Sequence, residues 1–258
     1  MKVSFVVPVY NTEYQILRIC VNSILHTLKD EHELLIIDDA SDEDETLGFL
    51  ERCTRDSRHD IKVIRNTDNY GVCYSLNKVI QSSTGDLLAP VDHDDLIDPQ
   101  GCSLALRYQQ HNNIDWLYTD EVQVDETGYR VNNFFKPAYS KQLLRSVMYI
   151  NHLQVFSREL FHRAGRYREG FEGSQDHDLA LRMSEQVDPS HVPTFAYHWR
   201  IMPTTQSRTD DSVSQQSIHN SIRALQQHFG RLGTNVNITN VRSDLSVYKV
   251  RVIPKVQS

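Results

Sequence analysis

The stretch DLLAPVDHDD, residues 86–95, passes from a short apolar segment into a group of acidic side chains. Residues 86–92 have the composition of a buried β-strand, and Asp92, Asp94 and Asp95 lie at its end. Neighbouring carboxylates repel one another, so such a group costs stability unless positive charge lies among them. The sequence therefore predicts a strand that ends in a site for a positively charged partner.

Strands and helices alternate in the residues before this stretch. Strands are predicted at residues 3–10, 32–41 and 61–66, helices at residues 13–28 and 42–55, and a loop that turns into a helix at residues 69–83. With the strand at 86–92, this order is typical of a doubly wound α/β fold, in which helices flank a mostly parallel, Rossmann-like sheet. Because ligands bind such sheets at the carboxyl ends of the strands, we expect the polar residues after the first, second and fourth strands to line one edge.

The second half of the chain is less regular. Helices are predicted at residues 103–111, 140–149, 157–165, 174–186 and 217–229, and strands at residues 114–125 and 192–201. From Leu232 onwards the sequence indicates a strand-like extension.

The overall composition excludes several classes of protein. The 258 residues carry a net charge of −7 with a pI of about 5.9, so binding of nucleic acid through its phosphates is not expected. The four cysteines form no CxxC pair and have no zinc-site spacing, so free thiols in a reducing cytoplasm are expected. No segment approaches the roughly 20 apolar residues that span a bilayer. We expect a cytoplasmic protein, with peripheral contact at the inner face of the membrane left open.

Asp92 and Asp94 are separated by one residue, so in extended backbone their side chains point to the same side. Carboxylate oxygens are the ligands that Mg²⁺ and Mn²⁺ prefer, usually together with phosphates of a substrate. The structural alternative is that Asp94 or Asp95 caps a helix that begins within LIDPQG, residues 96–101. From these residues alone, both interpretations stand.

Eight segments follow one another along the chain: VSFVVPVYN (3–11), LLIIDDAS (34–41), NYGVCYSLN (69–77), STGDLLAPVDHDDLI (83–97), WLYTDE (116–121), FKPAYSKQLL (135–144), EGFEGSQDHDLALR (169–182) and AYHWRI (196–201). Together they resemble family 2 glycosyltransferases of the GT-A fold. The resemblance extends over about residues 3–207 and is nearest to the bacterial branch that builds O-antigen and rhamnose-rich polysaccharides. It implies a GT-A domain of residues 1–230, with a nucleotide-binding half (1–100) and an acceptor half (101–230). Residues 231–258 would form a C-terminal extension that resembles a linker.

The resemblance also implies an activity and a site. The activity is inverting transfer of a hexosyl or deoxyhexosyl group from a UDP- or dTDP-linked donor to a hydroxyl of a glycan or lipid-linked glycan. Residues implied to bind the nucleotide are Pro8, Val9, Tyr10, Asn11, Asp39, Asn69, Gly71, Asn77 and Asp92. A divalent cation, Mn²⁺ or Mg²⁺, is implied at Asp92, Asp94 and His198, and Asp176 of SQDHD is implied as the catalytic base.

The chemistry of such a transfer fits these residue types. A carboxylate must take the proton of the acceptor hydroxyl as that oxygen attacks, and positive charge must neutralise the departing diphosphate. The structural alternative for Asp176 is a charge that only stabilises a helix N-terminus, a role that Asp178 could fill alone.

Weaker candidates and alternative functions complete the interpretation. Candidates for contact with the acceptor are Asp120, Glu121, Trp199 and Arg200, of which the first two could instead lie on a solvated turn and Trp199 in the core. A nucleotidyltransferase acting on sugar phosphates is an alternative function, although YNTEYQ stands where such enzymes carry a basic glycine-rich loop. A non-catalytic nucleotide- or glycan-binding module is the other alternative.

Overall fold

A computed structural model describes residues 1–28, 31–56, 59–201, 211–242 and 245–253 of the chain. The strands are β1 (Val3–Val9), β2 (Glu33–Asp38), β3 (Ile61–Arg65), β4 (Leu87–Pro90), β5 (Leu96–Ile97), β6 (Trp116–Val124), β7 (Arg130–Phe134), β8 (Gln154–Ser157), β9 (Ser190–Arg200), β10 (Val236–Arg242) and β11 (Leu245–Val252). The helices are α1 (Tyr14–Leu25), α2 (Asp44–Thr54), α3 (Val72–Gln81), α4 (Pro99–Asn112), α5 (Lys141–Leu144), α6 (Arg158–Arg163), α7 (Gln175–Met183) and α8 (Asp211–Arg231).

The predicted mostly parallel α/β sheet is confirmed. Its strands follow the order β3-β2-β1-β4-β8-β6-β9-β5, and β7 pairs with β6. β1 is parallel to both β2 and β4, β2 is parallel to β3, and β6 is parallel to β9. The carboxyl ends of β1, β2 and β4 therefore meet at one edge of the sheet, which we call the carboxyl edge.

An antiparallel strand that the sequence did not predict lies in the middle of this sheet. β8 pairs antiparallel with β4 on one side and with β6 on the other, with Leu88 opposite Phe156. Because β8 runs against β4, the residues just before Gln154 lie beside the residues just after Pro90. This pairing brings His152 to the carboxyl edge.

The central strands β1 and β2 are buried on both faces, as parallel strands flanked by helices require. In β2, Leu34 and Ile36 pack into one apolar cluster with α1 and α2, whereas Leu35 and Ile37 pack into the other cluster with α3. This alternation follows from the two-residue period of a strand. Burial on both faces also explains why residues 34–37, LLII, are all apolar.

The opposite edge of the sheet holds a fully buried acid, Glu33. Its carboxylate accepts hydrogen bonds from Ser4 Oγ at 2.6 Å and from the backbone N–H groups of Thr84 and Gly85, and Lys2 and Lys62 lie within 3.3 Å of it. Desolvation opposes the charge, but these donors outweigh it and lower the pKa of Glu33 to about 2. An acid at this edge is thus held by protein groups alone.

The C-terminal residues form an antiparallel hairpin of β10 and β11. Ile238 and Tyr248 are buried in the same apolar cluster as Ala224 and Leu225 of α8. Residues 243–244 and 254–258 of the predicted extension lie outside the described residues. The predicted boundary at residue 230 stays a prediction.

All four cysteines are buried and carry free thiols. Within the described part of the chain, every helix is too short or too polar to cross a bilayer.

Candidate active site

The acidic loop between β4 and β5 is fixed by the end of β9. Asp95 is almost fully buried, and its carboxylate accepts hydrogen bonds from Tyr197 Oη at 2.8 Å and from the Arg200 backbone N–H at 2.7 Å. The Arg200 guanidinium also donates to the carbonyl of Asp94. The cap of α4 is Asp98, which accepts from the Gly101 N–H at 2.7 Å. The alternative that Asp94 or Asp95 caps this helix is therefore wrong.

His152 stands beside this loop because of the antiparallel course of β8. Its Nε2 atom lies 3.2 Å from Oδ2 of Asp92, and its ring stacks on Tyr197 with the centroids 4.7 Å apart. Asp92, Asp95 and His152 each offer one ligand atom, and these three atoms lie within 4.8 Å of one another. Two carboxylates and one imidazole form a donor set that suits Mn²⁺ or Mg²⁺.

The electrostatics of this group indicate that it needs additional positive charge. Burial alone would lower the pKa of His152, but its hydrogen bond with Asp92 and the nearby acids raise that pKa to about 9. Desolvation would raise the pKa of Asp92, yet His152 and His93 hold it below its usual range. For Asp95 the balance is opposite: burial and the charge of Asp92 raise its pKa well above the usual range, although His152 and the hydrogen bond from the Arg200 N–H oppose this rise. A divalent cation would stabilise both ionised carboxylates, so the residues present fit such an ion.

Asp176 lies in the first turn of α7 and faces this group. It lines a small cavity of about 30 Å³ together with Asp92, His152 and Tyr167. Burial and the neighbouring charge of Asp92 raise the pKa of Asp176 to about 6, against the opposing influence of His152 and a hydrogen bond from Tyr167. Asp176 is thus ionised at neutral pH and is a stronger base than an ordinary aspartate.

The helix that carries Asp176 is anchored by its other acid. Asp178 is fully buried and accepts from Arg182 Nη2 at 2.7 Å and from Arg168 Nε at 3.0 Å. Asp178 is therefore structural, which leaves Asp176 free to face the cavity.

Asp39 organises the loop before α3. Its Oδ1 atom accepts from Asn66 Nδ2 at 2.6 Å and from the Tyr70 N–H at 3.0 Å, and its Oδ2 atom accepts from the Gly71 N–H at 2.8 Å. A carboxylate has about four acceptor sites, so one remains for a ligand. Gly71 has a φ of 86°, a backbone conformation that favours glycine, and Asn69 Oδ1 accepts a second, 3.1 Å bond from its N–H. The predicted nucleotide residues Asp39, Asn69 and Gly71 therefore form one unit.

The other predicted nucleotide residues differ in what they can offer. The side chain of Val9 is buried in the core, and its carbonyl accepts from the Asp39 N–H, whereas the Tyr10 side chain is exposed beyond the end of β1. Asn11 is hydrogen-bonded to Ser41 and Asp42, and Pro8 is partly buried in β1. Asn77 exchanges two hydrogen bonds with the backbone of Tyr167 and so positions that residue. Their predicted role in nucleotide binding stays a prediction.

Asp176 also lines a larger cavity of about 630 Å³. Glu121 and Trp199, two of the predicted acceptor residues, line it with Asp176. Asp120 does not: it is buried and accepts from the Lys136 N–H at 2.9 Å and lies 2.8 Å from His191 Nε2. Arg200 is buried as well and braces the acidic loop. The structure thus brings two of the four candidates to the cavity, and the other two do not line it. The predicted contact of all four with the acceptor stays a prediction.

Two of the predicted metal ligands lie apart from the observed group of three. Asp94 is not a member of that group, and His198 Nε2 lies 3.9 Å from Oδ2 of Asp98 instead. Asp92 alone belongs both to the predicted set and to the observed one. The predicted metal-binding role of Asp94 and His198 stays a prediction.

Three residues at this site were not among the sequence-based candidates: His152, Asp95 and Tyr167. Asp95 could have been included, since it lies within the acidic stretch. His152 and Tyr167 carry no sequence signal of their own, because only the insertion of β8 and the packing of α7 bring them to the site.

Comparison with known proteins identifies the family. A family model described as "Glycosyl transferase family 2" matches residues 4–165. The O-antigen biosynthesis protein RfbC of Myxococcus xanthus is 32% identical over 264 residues, which cover 98% of this chain and 20% of that protein. The chain spans a fifth to a quarter of the length of the curated relatives with which it shares 32% identity.

Solved structures share the fold. TarS 1–349 from S. aureus, in complex with UDP-GlcNAc, is 18% identical with a TM-score of 0.66, covering 90% of this chain and 72% of that one. The mannosyltransferase PcManGT from Pyrobaculum calidifontis, in complex with GDP-Man and Mn²⁺, is 17% identical with a TM-score of 0.66, covering 89% of this chain and 67% of that one. The fold is that of the GT-A-type transferases, and the chain belongs to glycosyl transferase family 2.

Proposed function

We propose that this chain transfers a hexosyl or deoxyhexosyl group, with inversion, from a nucleoside diphosphate donor to a hydroxyl of a growing bacterial surface glycan. The observation that carries this proposal is the position of Asp176. Its side chain lines both the small cavity that contains Asp92 and His152 and the large cavity that contains Glu121 and Trp199. A base that lies beside Asp92 and also lines the large cavity can receive a proton from an acceptor in that cavity while the donor diphosphate lies near Asp92.

Asp176 acts as the general base in this proposal. With a pKa raised to about 6, its carboxylate is available at neutral pH and matches the working range of an acid–base catalyst. It accepts the proton of the acceptor hydroxyl as that oxygen attacks the anomeric carbon. Tyr167, which Asn77 fixes through its backbone, orients the carboxylate by a hydrogen bond.

Asp92 anchors a divalent cation, Mn²⁺ or Mg²⁺. It belongs to the predicted Asp-x-Asp pair and to the group of ligand atoms found with His152 and Asp95. A cation bound there would supply Lewis-acid neutralisation of the departing diphosphate. The raised pKa of Asp95 supports this, because a buried carboxyl beside Asp92 gains from added positive charge.

A UDP- or dTDP-linked donor would bind at the carboxyl edge between the Asp39 loop and Asp92. TarS is solved with UDP-GlcNAc and PcManGT with GDP-Man and Mn²⁺, which supports a nucleotide-sugar donor for this chain as well. The O-antigen role in the name of RfbC supports a polysaccharide product. The acceptor in this proposal is a glycan or lipid-linked glycan, used at the inner face of the membrane.

The two alternatives receive less support. A nucleotidyltransferase would need positive charge after β1, where YNTEYQ offers none, and family membership points to glycosyl transfer. A non-catalytic module would not need a base with a raised pKa at the junction of two cavities.

The test is calorimetric titration of the protein with UDP and with dTDP, with Mn²⁺ and with EDTA, followed by mass spectrometry of products from a panel of nucleotide sugars. We expect binding of one nucleotide that requires the cation, and cation-dependent release of that nucleotide from one sugar donor. Absence of binding to both nucleotides, or binding indifferent to the cation, would contradict the proposal.

A further inference from the structure

The large cavity beside Asp176 has a mixed lining. Glu121, Gln123 and Ser174 are among its polar residues. Its apolar lining includes Phe134, Leu143, Val147, Met148, Trp199 and Val247. A volume of about 630 Å³ falls within the range of small-molecule sites, and aromatic and aliphatic walls are typical of pockets that bury an apolar group.

Part of this apolar wall comes from the C-terminal hairpin. Val247 of β11 forms an antiparallel bridge with Val147, and the Tyr248 N–H donates to the carbonyl of Ser146 at 2.7 Å. Tyr248 is buried in the core, whereas Val247 and Ser246 before it line the cavity.

The hairpin is also fastened to the helix that carries the base. The ring of His177, the residue after Asp176, stacks on Tyr248 with the centroids 6.3 Å apart. Nε2 of His177 lies 2.7 Å from the Leu144 carbonyl, which ties α7 to the 143–148 segment. The position of the apolar wall relative to Asp176 is therefore set by direct contacts, although the hairpin lies outside the residues that the family description matches.

We propose that the β10–β11 hairpin completes the acceptor site and selects acceptors that carry an apolar group close to the attacking hydroxyl. This inference rests on the proposed function, because it takes the cavity beside Asp176 as the acceptor site. Two sources share this chemistry: an alkyl or prenyl aglycone, as in a lipid-linked acceptor, and the methyl group of a 6-deoxy sugar. Phe134, which lines the cavity and is 41% exposed, extends the apolar lining to the surface and favours the longer aglycone.

The test measures binding of simple glycosides directly, by saturation-transfer NMR with the full chain. The probes are hexyl β-D-glucoside below its micelle concentration, methyl β-D-glucoside and methyl α-L-rhamnoside. We expect the hexyl glucoside to bind about fivefold or more tighter than the methyl glucoside, with the strongest transfer to its alkyl protons. Tighter binding of the rhamnoside alone would identify the 6-deoxy sugar as the source.

A matched pair of variants locates the preference on the hairpin. Val247→Thr keeps the β-branched shape of the side chain and adds a hydroxyl to the cavity wall, whereas Val252→Thr makes the same change at a 63% exposed position of the same strand. We expect Val247→Thr to abolish most of the preference for the apolar probe and Val252→Thr to keep it. Equal affinity for all three probes, no binding of any, or an unchanged preference in Val247→Thr would overturn the inference.

Failure of this inference can be distinguished from failure of the proposed function. UDP and dTDP titrations of the same samples report the donor site alone. Nucleotide binding without a preference for apolar glycosides would remove only the inference. A preference for apolar glycosides with no nucleotide binding would remove the proposed function and leave the selectivity of the cavity.

Discussion

Nε2 of His152 lies 3.2 Å from Oδ2 of Asp92, and the His152 ring stacks on the ring of Tyr197, which donates a hydrogen bond to Asp95. The ends of β4, β8 and β9 are joined by this contact at the carboxyl edge. Glu33, at the other edge, is satisfied by protein donors, whereas Asp95 keeps a strongly raised pKa. Protein donors thus hold the charge of Glu33, whereas a bound cation would further stabilise the ionised form of Asp95.

Replacement of Asp92 by asparagine should remove cation-dependent nucleotide binding. The amide keeps the size of the side chain but removes the negative charge beside His152. We expect the affinity for UDP or dTDP in the presence of Mn²⁺ to fall by roughly tenfold or more, equivalent to at least about 1.4 kcal/mol. Calorimetric titration measures this change.

Asp86→Asn is the matched control, since Asp86 is an exposed acid that directly precedes the first residue of β4. It should bind nucleotide and cation as the unchanged protein does. Equal affinities in Asp92→Asn and Asp86→Asn would be incompatible with a cation at Asp92. Parallel titrations of Asp94→Asn and His198→Gln measure the contributions that the sequence resemblance implies for those residues.

Replacement of Asp39 by asparagine should weaken nucleotide binding through the loop before α3. Asp39 accepts three hydrogen bonds, two of them from the backbone N–H groups of Tyr70 and Gly71. An amide presents an N–H₂ group to at least one of these donors, which breaks a hydrogen bond to a charged acceptor and costs about 1.5–3 kcal/mol of stability. Thermal unfolding and UDP titration should both report the loss, and the exposed Asp68→Asn in the same loop should report none. Wild-type nucleotide affinity in Asp39→Asn would refute the role of this loop.

Because the pKa of Asp176 is raised, we expect this residue to affect the free energy of unfolding in a way that depends on pH. A carboxyl with a folded-state pKa of about 6 and an ordinary value of 3.8 destabilises the fold when it is ionised. This cost is absent below about pH 4 and complete above about pH 6. In the metal-free protein, Asp176→Asn should therefore raise the free energy of unfolding at pH 8, by up to about 3 kcal/mol, and the gain should vanish near pH 4.

Asp178→Asn, on the same helix, is the control, because it should change the free energy of unfolding in the opposite direction. Its removal leaves the buried guanidinium of Arg182 and that of Arg168 without their carboxylate, which should lower stability at pH 8 by about 3 kcal/mol. Thermal melts of both variants at pH 4 and pH 8 measure the two effects. An Asp176→Asn variant that is less stable than the parent at pH 8 would contradict the electrostatic account of the site.

The fold was predictable as far as local patterns determine it. The apolar run of β2 and the helical spacing in α1 gave the first βα units within a few residues of their observed bounds, because parallel strands and their crossover helices follow one another in the chain. β8 was missed because VFS is too short to show a period and its position depends on pairing with two distant strands.

The acidic residues of the site could be predicted from the sequence, but the residues that contact them could not. Asp92 and Asp176 were identified from the sequence, and the structure places both around one small cavity. Asp120 and Arg200 have the residue types of a functional site, yet each is buried with scaffold partners, a distinction that depends on tertiary contacts alone. His152 and the wall formed by Val247 depend on strands that meet only after the chain has folded.

The central claim is that Asp176 is the base of a cation-dependent sugar transfer. Its most direct test is the rate of nucleotide release from the preferred nucleotide sugar by Asp176→Asn, measured together with the affinity for the free nucleotide in Mn²⁺. We expect a rate lower by about 10²- to 10⁴-fold with nucleotide affinity retained. A rate within a few fold of the parent, at the same affinity, would contradict the claim.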